Sequence, residues 1–255
     1  MKDVIDVLQL QAQRDKIKRD EVATNYREVV DSTFFGVQFI FECGTKLNSH
    51  PLTIATAATL FHKFFKEAEK ASYDQYLIAS TCLYLASKMK DESLKVRDVI
   101  NVSHNTLFRG SLPLDLGDEY WSMRDAIVQA ELLIMRMLKF EVQTVHPHKF
   151  MLHYLKSLQG WLKPEDWKRV PLVQASYAFL QDFHYDPSIL DVKPEHIAIA
   201  AIHLALQCYG VQVPFTAEEE GNVWYSVFVE DLNKDKVWEL MEKIMNVYDS
   251  EPQKH

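Results

Sequence analysis

Apolar residues recur along most of this chain three and four positions apart, the spacing of one face of an α-helix, and almost nowhere in the alternation of a half-buried strand. Prolines fall where a first helical turn tolerates them: Pro51, Pro147, Pro171 and Pro194 each stand ahead of a long apolar run. The pattern predicts helices over residues 4–20, 27–47, 52–68, 74–90, 95–103 and 120–139. A second series is predicted over 147–160, 166–184, 194–209, 222–229 and 234–248. Only 142–145 and 211–215 read as extended, and each is short enough to be a connector. The expected fold class is all-α.

Two segments are apolar all the way round, the mark of a helix enclosed on every side: Leu77 to Ala86 and Ile197 to Leu206. A shift of 119 positions lays one on the other, pairing Ile78 with Ile197, Ala79 with Ala198, Leu85 with Leu204 and Ala86 with Ala205. That is an internal repeat. Small residues such as Ala79, Ala86, Ala198 and Ala201 let neighbouring helices come close, so each half is expected to be a bundle around one central helix. The expected organisation is an N-terminal helical extension over 1–26, a first bundle over 27–141, a second over 142–249 and a disordered tail over 250–255.

The repeat fails at one informative place. The first central helix runs on into Ser87-Lys88-Met89-Lys90-Asp91-Glu92, whereas the second continues as Leu206-Gln207-Cys208-Tyr209-Gly210. Glu131 in turn lies in line with the apolar stripe of Ile127, Ile134 and Leu138, and a carboxylate in such a stripe needs a reason. Spacing alone leaves two readings open for each. Lys88 is either a helix-end lysine reaching water beside the negative end of the helix dipole, or a contact for a partner. Glu131 is either a solvated or internally paired edge residue, or the matching contact.

Composition narrows the function classes. There are 7 glycines in 255 residues, where average usage would give roughly eighteen. No two of them make a G-x-G or a G-x-x-x-x-G, so the nucleotide-binding fingerprints are missing. A net charge of −8 works against the electrostatic term that dominates nucleic-acid affinity. Cys43, Cys82 and Cys208 are widely separated in apolar stretches, which fits a reducing compartment rather than a disulfide framework or a metal pair. Ten histidines supply neither His-Glu-x-x-His nor Glu-x-x-His, and His146 and His148, on either side of Pro147, read as packing residues. No stretch reaches the roughly 18 apolar residues of a membrane span, and the first ten residues are too polar for a signal peptide. A nuclear or cytoplasmic protein is expected, with no catalytic residues, metal or cofactor.

Several of these motifs carry a resemblance. Leu83-Tyr-Leu-Ala-Ser-Lys88 resembles the end of the central helix of a first cyclin box and Glu131-Leu-Leu-Ile-Met-Arg-Met-Leu-Lys-Phe140 its fifth helix, and the likeness extends from about Phe34 to Tyr248. Gly44-Thr-Lys-Leu47, Ile54-Ala-Thr-Ala57 and Phe61-His-Lys-Phe-Phe65 are similar to the transcription-type branch of the cyclins. The resemblance implies two tandem five-helix cyclin boxes, no enzymatic activity, and a cyclin-dependent protein kinase as heterodimer partner. It further implies that Lys88 and Glu131 hydrogen-bond to the kinase, with Met89, Leu132, Met135 and Phe140 packing beside them. Two departures stand out: Lys90-Asp91 replaces the family's acidic pair after the lysine, and the helix from Phe34 lacks the Met-Arg-Ala-Ile-Leu patch of cell-cycle cyclins. The competing expectations are a transcription factor IIB-like adaptor that binds DNA and a plain helical scaffold.

Overall fold

A computed structural model describes residues 33–92, 94–110, 114–214 and 223–249. Every regular element among them is helical. The N-terminal extension, the start of the 27–47 helix and the tail lie outside the described residues. The chain divides into two compact units between Thr144 and Val145.

The first unit holds α1 (Phe34–Lys46), α2 (Pro51–Glu67), α3 (Gln75–Met89), α4 (Val96–Leu107) and α5 (Asp118–Met137). Pro51 opens α2 at a position where its missing N–H costs nothing. Asp74 caps α3, its carboxylate accepting from the N–H groups of Tyr76 at 2.7 Å and Leu77 at 3.0 Å. The all-round apolar α3 is the central helix, in contact with all four others. Its few polar side chains are satisfied locally: Thr81 donates to the Leu77 carbonyl, and the hydroxyls of Ser80 and Ser103 are 2.9 Å apart. α1 lies unusually close on α2. A Cβ on Gly36 would stand 2.1 Å from the Phe61 ring and one on Gly44 2.6 Å from Ile54, so both glycines, and the motifs that contain them, are dictated by that approach.

The second unit holds α6 (His148–Trp161), α7 (Pro164–Arg169), α8 (Leu172–Asp182), α9 (Pro194–Cys208) and α10 (Lys234–Asp249). Its central helix is α9, buried along most of its length and packed against α6, α8 and α10. His146, His148 and His184 are buried together, with ring centroids 5.7 to 6.4 Å apart. Two expectations are corrected here. The helix expected over 166–184 is broken, because Val170 is extended ahead of Pro171, the conformation a following proline imposes. The helix expected over 222–229 is a single 3-10 turn, Trp224–Val227, in a run rich in aromatic and β-branched residues with low helix propensity. In the first unit α4 continues to Leu107, beyond the expected end at 103, where the Thr106 hydroxyl accepts from Lys46 at 2.9 Å.

The repeat extends to the helix ends. α9 stops with Gly210 in the left-handed region and the Val211 N–H bonded back to the Leu206 carbonyl, a Schellman stop. The position of α3 shifted by 119 does the same: Asp91 has φ 54° and the Glu92 N–H bonds to the Ser87 carbonyl. Val211 is buried, whereas the Glu92 carboxylate accepts the His50 N–H at the head of α2. Among the described residues, no helix is long and apolar enough to cross a membrane.

Candidate functional site

Lys88 sits in the last turn of α3, where a cation is favoured by the carbonyls that the helix end leaves unpaired. Glu131 sits in the C-terminal half of α5, one helical step from the buried Ile127 and Ile134. Because α3 packs on α5, the two meet: the Lys88 ammonium donates to both Glu131 carboxylate oxygens at 2.8 Å. The pair spans 43 positions of sequence and stands at the surface, with Lys88 47% and Glu131 15% exposed. Lys88 also lies 4.2 Å above the ring of Tyr84, one turn back on α3. Partial burial alone would lower the lysine's pKa. The hydrogen bond and charge of Glu131, with Tyr84, outweigh it and leave the ammonium above its ordinary value.

The apolar members of the expected set flank this pair. Met89 follows Lys88 and is half-buried, as is Met135, four residues after Glu131. Leu132 is 45% exposed, and Phe140, just beyond the end of α5, is 60% exposed. Phe140 reaches that position through an unusual backbone. Lys139 and Phe140 both have positive φ, 51° and 61°, and the Phe140 N–H bonds to the Met135 carbonyl at 2.8 Å in a third Schellman stop. A bulky aromatic in the left-handed region is strained, and here the strain is not offset by burial of the ring.

The structure thus brings Lys88 and Glu131 together, with Met89, Leu132 and Met135 on the same two helices and Phe140 just past the end of α5. Sequence reasoning missed the Tyr84 ring beneath Lys88, although its i, i+4 spacing was the available signal. It also missed the exposed Trp121 and Val128 on α5, which a helical projection puts on the face of Leu132. Chemistry elsewhere is sparse. Burial pushes the Cys43 thiol up to about 11 and raises that of Cys82 as well, the reverse of nucleophile activation. Among the described residues, no three His, Cys, Asp or Glu side chains are grouped to hold a metal ion.

A family model described as "Cyclin, N-terminal domain" matches residues 6–143. The chain is 29% identical over 215 residues to cyclin-K of Danio rerio, covering 84% of this chain and 48% of that protein. It is 30% identical over 225 residues to cyclin-L1 of the same fish, covering 87% of this chain and 42% of that one. The chain therefore spans about half the length of these curated relatives or less. Among solved structures, a chain of the yeast RNA polymerase II CTD kinase CTDK-1 complex matches with a TM-score of 0.66 and 18% identity, over 89% of this chain and 68% of that one. At that identity the likeness concerns the fold.

Proposed function

This chain belongs to the cyclin family, in its transcription-type branch, and from that premise we propose that it is the regulatory subunit of a cyclin-dependent protein kinase. The observation that carries the reading is the Lys88–Glu131 pair, held at the surface between exposed and half-buried apolar side chains on α3 and α5. An opposite-charge pair within an apolar patch offers a partner both area and register: the hydrophobic rim supplies attraction, and the charges penalise a misaligned helix. Lys88 and Glu131 would hydrogen-bond to the kinase, with Met89, Leu132, Met135 and Phe140 packing around its αC helix. Docking there would swing the kinase's αC glutamate toward its ATP-positioning lysine and release the activation loop from an inhibiting pose. The cyclin then contributes interaction energy and the kinase contributes the chemistry.

The finer reading concerns which kinase. Asp98-Val-Ile-Asn-Val-Ser103, His146-Pro-His-Lys149 and Leu204-Ala-Leu-Gln-Cys-Tyr-Gly-Val211 resemble cyclin Q, also called cyclin M, which supports cyclin-dependent kinase ten as the partner and a nuclear or cytoplasmic site of action. The test is phosphoryl transfer by purified cyclin-dependent kinase ten with and without this subunit. Stimulation is expected. No stimulation of this kinase, or of a panel of other transcription-type cyclin-dependent kinases, would refute the proposal.

A further inference from the structure

The helices ahead of the two central helices are joined differently in the two units. In the first, residues 47–50 connect α1 to α2; in the second, residues 162–171 separate α6 from α8, and 6 of them coil into the additional helix α7. The core does not need that helix. None of its residues is buried, and only Trp167 and the following Val170, both half-buried, lean on the core from outside. Where the extended Val170 and Pro171 part α7 from α8, the chain leaves a cleft of about 550 Å³ walled by residues 167–174. That volume falls within the roughly 300–1,000 Å³ of ligand sites.

The wall has an apolar part and a charged part. Trp167 and Val170 continue into the buried Leu172, and Val173 is 37% exposed at the edge. Both charged side chains in the wall are cations, Lys168 and Arg169. Arg169 meets Asp166 at 3.4 Å yet stays 65% exposed. Lys168 is exposed and has no ion pair among the described residues. A chain of net charge −8 thus presents a cleft with no carboxylate in its wall. A bare anion would leave the tryptophan unused, and a neutral hydrophobe would leave the cations unused. One continuous stretch of chain forms the wall, so the cleft lies open at the surface and suits an extended peptide better than an enclosed small molecule.

We propose that this cleft binds a short acidic segment of a partner protein, one large apolar side chain resting against Trp167 and Val170 and flanking carboxylates meeting Lys168 and Arg169. The site is independent of the kinase-subunit reading, since the cleft belongs to the second unit whereas α3 and α5 belong to the first. Exposed cations contribute modestly and are screened by salt, so the tryptophan is the anchor and the charges select the sequence around it.

The experiment is fluorescence polarisation with labelled synthetic peptides rich in glutamate and carrying one Phe, Leu or Trp, titrated with the full chain at two salt concentrations. Control peptides carry glutamine for glutamate, alanine for the apolar residue, or phosphoserine for glutamate. The acidic peptides bind the parent, and more weakly at high salt. Lys168→Glu weakens binding about tenfold or more, and Trp167→Ala does the same. Circular dichroism melts verify folding; should Trp167→Ala melt early, the alanine peptide against the parent reports the same contact. The proposal is overturned if no acidic peptide binds below about 1 mM, if the glutamine peptides bind equally well, or if Lys168→Glu binds as the parent does. Binding of the phosphoserine peptides alone would assign the cleft to phosphorylated partners and overturn it too. If peptides bind only after Glu218→Gln, Glu219→Gln and Glu220→Gln are combined, the occupant is the chain's own acidic run and the partner-segment proposal is overturned.

Discussion

Removal of the Glu131 carboxylate should separate stability from binding. In the isolated chain Lys88 keeps almost half its surface in water, so its bridge to Glu131 resembles an exposed pair, worth about 0–1 kcal/mol. Glu131→Ala, or Lys88→Ala, is therefore expected to lower the unfolding free energy by no more than about 1 kcal/mol in urea titration. In the proposed complex, docking of the kinase would change the surroundings. Once a partner covers the pair, water no longer solvates whichever charge is left behind, and truncation of one member of a covered pair costs about 2–5 kcal/mol. That is roughly a thirty-fold to several-thousand-fold loss in affinity, measurable by calorimetry or biolayer interferometry. The swapped double variant, Lys88→Glu with Glu131→Lys, sharpens the test. It should recover the parent's stability, because the bridge reforms with its ends exchanged, yet it should not recover binding if the kinase reads each charge separately. The reasoning is refuted if affinity follows stability through all of these variants, or if the single variants bind a kinase as tightly as the parent.

Three further outcomes follow from the fold. Gly36→Ala should destabilise the first unit by about 1–3 kcal/mol in chemical denaturation, because its Cβ would collide with the Phe61 ring 2.1 Å away. Asp91→Gly should instead stabilise it by about 1 kcal/mol by relieving a left-handed backbone that the equivalent Gly210 adopts freely. The Asp231 carboxylate, held down to about 2 by hydrogen bonds from Lys193 and then His196, is depressed in the folded state. Its contribution is thus complete above its unfolded value near 3.8 and fades as pH falls toward 2. Melting temperatures of the parent and of Asp231→Asn should accordingly differ above pH 4 and converge near pH 2.

The central helices were the most legible part of the fold, since an all-round apolar decapeptide has no stable place except inside a bundle, and their relation by a constant shift announced two similar units. The misreadings fell where local chemistry overrode periodicity. Pro171 broke a run that the apolar spacing alone would have continued, and the aromatic stretch after Val223 had helical spacing but closed into one tight turn. For the site, Lys88 and Glu131 were conspicuous as charges in the wrong company, but nothing in the spacing said that they would touch. That depended on how α3 and α5 cross, a tertiary fact. The exposure of Trp121 was hidden for the opposite reason: an apolar residue on a helix reads as core until the packing reveals which of two faces is already covered.

The bridge between α3 and α5 also bears on how quickly a partner is recognised. Both ionic groups are already oriented and partly stripped of water before any encounter, so little side-chain rearrangement remains for the moment of capture. Complex formation would then be limited by diffusion and alignment, and selectivity among kinases would appear in the lifetime of the assembly rather than in the speed of its formation.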